Sequence, residues 1–166
     1  MNITRVGVDI AKSVFHVHAV DRHGRLVWQA RLKRNQWLAA LTDRLAPGAE
    51  IGMEACASAH HWARELQQRG FRVKLIAAQF VKPYVKSNKN DLVDAEAICE
   101  AMSRPGMRFV SVKSVAQQDI QAAHRIREEL VGQRTAEKNR LQGILEDANI
   151  KLASVVSDVF GKTGTA

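Results

Sequence analysis

Four carboxylates in this 166-residue chain stand where a divalent cation would be useful. Asp9 lies two residues after Gly7, and Glu54 lies two residues after Gly52. In a strand, residues i and i+2 point to the same face, so each acid stands beside a position with no side chain. Such a gap would let a metal ion or a bulky ligand come close to the sheet. Asp91 and Asp94 form the other cluster. At ~100° per residue they share a helical face with Ala95, Ile98 and Met102, while Glu96 and Glu100 fall on the opposite side. Two acids therefore occupy the first turn of the stripe that must face the core. Unpaired charge there is costly, and gathered carboxylates raise one another's pKa. A divalent cation relieves both problems, and Mg²⁺ or Mn²⁺ prefers hard oxygen ligands of this kind. The chemistry open to such a set is Lewis-acid catalysis by the bound ion.

Each acid also has a plainer reading. Asp91-x-x-Asp94 at a helix start has capping-box spacing and suits the macrodipole. Asp9 and Glu54 could be strand-end acids bonded to a loop; only the conjunction of the four favours a metal. Asp21, Asp43 and Asp119 read as turn or surface acids. Lys82, Lys86 and Lys89, with Tyr84 between them, lead directly into Asp91. A basic loop beside an acidic site can guide phosphates, whose contacts position without reading sequence, or it can simply be solvated. Further along, Arg125, Arg127, Arg134, Lys138 and Arg140 could follow a nucleic-acid backbone. Glu128, Glu129 and Glu137 interrupt them, so a salt-bridged helix surface explains them equally well. His16 and His18 share a strand face, and His60-His61 follow Glu54; surface or capping roles are expected for them rather than metal ligation. Trp28, Trp37 and Trp62 occupy core-like positions.

The elements that must position these residues follow from periodicity. Val6, Val8 and Ile10 alternate with Arg5, Gly7 and Asp9 as a strand. Runs over 14–20 and 26–32 flank Asp21-Arg22-His23-Gly24, a hairpin in which Gly24 can take positive φ. Asn35 can cap a helix carrying Leu38, Leu41 and Leu45, stopped by Pro47-Gly48. A short strand over 50–54 precedes a helix capped by Ser58, with Trp62 and Leu66 on one side and Gly70 at its end. Phe71, Val73 and Leu75 alternate as another strand, 90–102 is helical, and Pro105-Gly106 breaks the chain. The order is β-β-β-α-β-α-β-α, an α/β mixed sheet flanked by helices.

After a strand-like piece over 109–112 the character changes. From about 114 to 149 there is no proline, and Ala116, Ala123, Ile126, Leu130, Leu141, Ile144 and Ala148 recur near a 3–4 spacing. A helix of that length spans roughly 50 Å. Either it projects and pairs, in coiled-coil fashion with its own copy, or it folds back as a hairpin. The expected organisation is a catalytic domain over 1–112, a long helical region over 113–150, and a linker over 151–166 toward a further C-terminal domain.

A hydrophobic share of 46% supports a sizeable core, and 25% charged residues argues against general disorder. The net charge of +8 raises the prospect of a polyanionic partner without naming one. No apolar run approaches the ~18 residues a membrane span needs, and no secretory leader pattern opens the chain. Cys56 and Cys99 lack CxxC spacing, so neither a disulfide framework nor structural zinc is expected, and a reducing cytoplasm is the default.

Val6-Gly-Val-Asp-Ile-Ala-Lys12, Gly52-Met-Glu-Ala-Cys56 with Ser-Ala-His-His-Trp62 following, Val81-Lys-Pro-Tyr-Val-Lys86 and Lys89-Asn-Asp-Leu-Val-Asp-Ala95 together closely resemble the DEDD transposases of the Piv/MooV type, enzymes of bacterial insertion sequences. His124-Arg125-x-Arg127 and Arg134-Thr135 with Asn139-Arg140 resemble the helical region that follows in that family. The resemblance implies an RNase H-like (RuvC-like) catalytic lobe in which Asp9, Glu54, Asp91 and Asp94 are the tetrad binding Mg²⁺ or Mn²⁺. It further implies a nucleophilic serine in a C-terminal domain, DNA as substrate, and an element-encoded guide (bridge) RNA as partner. Competing readings are a stand-alone RuvC-type nuclease using water, a non-catalytic RNA-binding scaffold that dimerises, and an actin-like kinase lobe. The last would want a later glycine-rich phosphate loop that the sequence does not carry.

Overall fold

The computed structural model describes residues 3–85 and 91–148, the side chains of Asp91 and Leu92 excepted. Six strands form one sheet: β1 (Arg5–Ile10), β2 (Val14–Val20), β3 (Leu26–Lys33), β4 (Glu50–Glu54), β5 (Arg72–Ile76) and β6 (Phe109–Val110), in the spatial order β3-β2-β1-β4-β5-β6. β1, β2 and β3 pair antiparallel as a meander, whereas β4 pairs parallel with β1, and β5 parallel with β4. β6 closes the edge antiparallel to β5. The result is an α/β mixed sheet consistent with an RNase H-like fold.

Local chemistry sets the hairpin. Asp21 Oδ1 accepts hydrogen bonds from the His23 and Arg25 backbone N–H groups at 2.8 and 3.0 Å, and Gly24 adopts φ +77°. The parallel pairs instead need crossovers, which α1 (Trp37–Arg44) and α2 (Ala59–Gln68) supply. Alternation then divides the sheet. Val6, Val8, Phe15, Val17, Ile51 and Met53 face one layer and bury against Trp37, Leu41, Trp62, Ala63 and Leu66. Phe15, Trp37 and Trp62 meet edge-to-face, with ring centroids 4.7 to 5.5 Å apart. Trp28 is only partly buried and carries the Arg44 guanidinium 4.9 Å over its ring.

The opposite face carries Gly7, Gly52, His16 and His18, and it is covered by α4 (Asp91–Ala101). α4 joins Ala97, Ile98, Ala101 and Met102 to Ile76 and Val81 in a second core cluster. His16 and His18 are therefore buried, against the surface role expected for them, because β2 lies inside the sheet and α4 roofs that side.

Several boundaries differ from the sequence reading. α1 is entered at Gln36 rather than Asn35, and neither Gln36 nor Ser58 makes a side-chain capping bond. The stretch read as a loop after β5 coils into α3 (Ala78–Val81) and a 3₁₀ turn over Lys82–Tyr84, with Pro83 in the first turn where its missing N–H does no harm. Lys86, Lys89 and the expected linker over 151–166 lie outside the described residues.

The chain divides into two units, Met1–Ser114 and Val115–Ala166. The second holds α5 (Val115–Asp147), a single 33-residue helix that runs through Gly132 and Gly143 without a break, so the hairpin alternative is set aside. No coiled coil is established. None of its residues is buried, and Ile120, Ile126, Leu130, Leu141 and Ile144 are more than half exposed. Among the described residues no helix is long and apolar enough to cross a membrane. Cys56 and Cys99 are both free thiols.

Candidate active site

The parallel register of β1 and β4 pairs Gly7 with Gly52 and Val8 with Met53. One step further along, Asp9 and Glu54 emerge at the same end of neighbouring strands. Each shares the face of its glycine by the two-residue period. Two rigid strand ends thus fix two carboxylates side by side.

The paired glycines have a different occupant from the one the sequence suggests. A Cβ on Gly7 would run into the Ala95 carbonyl oxygen and stand 2.6 Å from the Cys99 backbone nitrogen. A Cβ on Gly52 would stand 2.7 Å from Met102 Sδ and 3.2 Å from Ile98 Cγ2. The gap over the sheet is therefore filled by α4 itself, not left for a metal or ligand. Close approach is still the reason for glycine, by helix backbone at Gly7 and by the Met102 and Ile98 side chains at Gly52, and its effect on the acids is indirect. By letting α4 sink onto β1, the two glycines carry the start of that helix toward the acids.

Asp9, Glu54 and Asp94 accordingly line one cleft of about 280 Å³. Its other walls are Ala78, Val81 and Val85 from the turn after β5, Ile98 from α4, and the side chain of Lys82. Asp91 begins α4, but its side chain lies outside the described residues. Lys82 brings one cation against three carboxylates. Beside Asp9, His16 is its cross-strand partner, with Nδ1 3.8 Å from Asp9 Oδ2.

The donor chemistry suits a hard divalent cation, since among the described residues the polar lining is carboxylate oxygen with one ammonium. The spacing is looser. Among the described residues, no three of His, Cys, Asp and Glu are gathered tightly enough to hold one ion. Like charges favour standing apart.

The remaining predicted residues fall elsewhere. Arg125, Arg127, Arg134 and Arg140 are exposed on α5. At ~100° per residue, Arg127 and Arg134 share a side with Lys138, while Arg125 and Arg140 turn to the other, so the five do not form one stripe. Asp21 is the turn acid expected, and its carboxyl is held below the usual range mainly by the Arg25 backbone N–H.

Two contributors escaped the sequence reading. His16 could have been placed opposite Asp9, because a short β1–β2 turn that sets Ile10 against Phe15 fixes that register. The apolar wall from Ala78 to Val85 could not, because a four-residue helix leaves no periodic signal.

A family model described as a transposase, the DEDD domain of IS110 type, matches residues 6–150. A protein of Pseudomonas aeruginosa named "Probable family 20 transposase" is 55% identical over 147 residues, which is 87% of this chain and 42% of the relative. The transposase for insertion sequence element IS1328 of Yersinia enterocolitica is 45% identical over 153 residues, 91% of this chain and 45% of the relative. The transposase for insertion sequence element IS1111A of Coxiella burnetii is 46% identical over 152 residues, 92% and 41% respectively. The chain spans less than half the length of these relatives.

Proposed function

This chain belongs to the DEDD transposase family of IS110 type, and on that premise we propose that its first unit is the metal-dependent catalytic lobe of a DNA transposase. We read the sheet as RNase H-like, with Asp9, Glu54, Asp91 and Asp94 as the acids that hold Mg²⁺ or Mn²⁺. The observation that carries this reading is the cleft shared by Asp9, Glu54 and Asp94, drawn from β1, β4 and α4.

A divalent ion bound there supplies Lewis-acid stabilisation to charge developing on a phosphodiester. The chain's own task is preorganisation. Asp9 and Glu54 stand on paired strands and Asp94 on a helix packed into that sheet, so the backbone is in place and only the carboxylate side chains need to draw together. Lys82 meets the backbone phosphate at the lip of the cleft, joined in this proposal by Lys86 and Lys89. The nucleophile is a serine of the C-terminal domain that the resemblance implies: its oxygen bonds to phosphorus as one phosphorus–deoxyribose oxygen bond breaks, the released deoxyribose hydroxyl takes up a proton, and attack by a strand's hydroxyl on the phosphoserine reverses the exchange to rejoin DNA. Arg125, Arg127, Arg134 and Arg140 on α5 contact nucleic acid, either the DNA or a guide RNA. The exposed apolar residues of α5 bring two copies together.

Calorimetric titration of Mn²⁺ into the chain, with and without a branched DNA, tests the reading. Binding that disappears in Asp9→Asn and Asp94→Asn is the expected result. Equal heats for wild type and both variants, in the presence of DNA, would overturn it. Cleavage of branched DNA by this chain with no covalent protein–DNA product would favour a water-using nuclease instead.

A further inference from the structure

We propose that His16 is a positioning residue for the Asp9 carboxylate, an inference that rests on the function proposed above. Asp9 and His16 are directly opposed in the antiparallel β1–β2 ladder, where facing side chains stand close enough to interact. His16 is 5% exposed, and its Nδ1 lies 3.8 Å from Asp9 Oδ2. The face it occupies is otherwise built for close packing: Gly7 on the neighbouring strand has α4 backbone against it. An apolar side chain would fill that place without the expense of burying an imidazole. Across the ladder the ring faces a polar group, the Asp9 carboxylate.

At 3.8 Å the pair is longer than a hydrogen bond, within the range that tightens when a carboxylate is drawn into its working geometry. With the ring seated behind Oδ2, the swing of the Asp9 side chain is restricted. The carboxylate therefore reaches a cation from a limited set of directions. Removing the ring leaves the charge of Asp9 intact and takes away its orientation. His18 provides the internal comparison. It is buried on the same strand and the same face, but it opposes Gly7 rather than an acid.

The test is Mn²⁺ binding to the whole chain, followed by the electron paramagnetic resonance of free Mn²⁺, alongside thermal melting in EDTA. For His16→Phe we expect affinity weaker by about tenfold, the scale on which partners of metal ligands act, with no loss of melting temperature in EDTA. His16→Gln, which keeps a polar group facing Asp9, should recover most of that loss. His18→Phe should bind as wild type does. Wild-type affinity in His16→Phe, or an equal loss in His18→Phe, overturns the positioning role while leaving the metal site standing. Should His16→Phe fail to fold, the smaller His16→Leu carries the same comparison. If wild type itself shows no Mn²⁺ binding that depends on Asp9 even with branched DNA present, the functional reading falls and this inference falls with it.

Discussion

Gly7 of β1 lies so close beneath α4 that a single added carbon would stand 2.6 Å from the Cys99 backbone nitrogen. The position is thus a spacing device for the acids. Helix backbone cannot step aside as a side chain can, so Gly7→Ala must lift or tilt α4. At Gly52 the nearest obstacle is Met102 Sδ, the flexible end of a long side chain, with Ile98 behind it. Gly7→Ala should therefore lower stability by about 3 kcal/mol, and Gly52→Ala by about 1 kcal/mol. Urea denaturation of the two variants checks the order. Equal losses would mean that α4 does not lie on β1 as described.

A second expectation concerns the acids themselves. Three carboxylates facing one cleft repel, and Lys82 offsets only part of that when metal is withheld. Asp94→Asn should raise the metal-free stability slightly, by no more than about 1 kcal/mol, because the group is partly exposed and screened. The same variant should lose the gain that metal gives wild type, about 1.4 kcal/mol at tenfold excess over Kd. Melting curves with EDTA and with Mg²⁺ separate the two effects. A destabilised Asp94→Asn in EDTA would point to the capping reading of that residue.

A third prediction follows from His60 on α2. Its Nδ1 accepts a hydrogen bond from the Lys113 backbone N–H at 3.1 Å, and Arg64 Nη1 donates to the Lys113 carbonyl at 2.6 Å. The pair ties the segment after β6 to α2. Burial, then the charges of Lys113 and Arg64, hold the His60 pKa below its usual 6.5. Below that value the unfolded chain takes up a proton that the folded chain resists, so stability falls as pH drops. The melting temperature should decline from pH 7 toward 5, and His60→Gln should flatten that slope. An unchanged slope in the variant would assign the acid sensitivity to other groups.

The strands and the order of the helices were legible in alternation and in the Asp21–Gly24 turn, since both are local properties. Three of the acids singled out in the sequence, Asp9, Glu54 and Asp94, line one cleft, while the reason for Gly7 and Gly52 was only half legible. Glycine two residues before an acid signals close approach, whereas what approaches depends on a helix far along the chain, meeting Gly7 through Ala95 and Cys99 and Gly52 through Ile98 and Met102. The buried state of His16 and His18 was hidden for the same reason: a strand's own sequence does not say which element roofs its second face. The contacts of the residues around 78–85 were likewise invisible, because a turn that short is set by tertiary packing.

The last prediction joins α4 packing to thiol chemistry. Cys99 is 4% exposed against Gly7, and burial pushes its thiol up to about 11 against the opposing pull of Arg5 and the Gly7 backbone. Cys56, after β4, is half-buried. Because the thiolate is the nucleophile, a disulfide reagent at pH 8 should modify Cys56 in the folded chain and leave Cys99 untouched. Cys99 should react at the rate of local or global opening, and addition of urea should release it. Gly7→Ala, which disturbs the packing above the thiol, should speed the Cys99 reaction while leaving Cys56 as it was. The same burial predicts that stability falls as pH rises from about 9 toward 11, since only the unfolded chain then sheds the Cys99 proton. Two equally fast thiols in the native chain would mean that α4 is not seated on β1, and the convergence of Asp94 with Asp9 and Glu54 would lose its support.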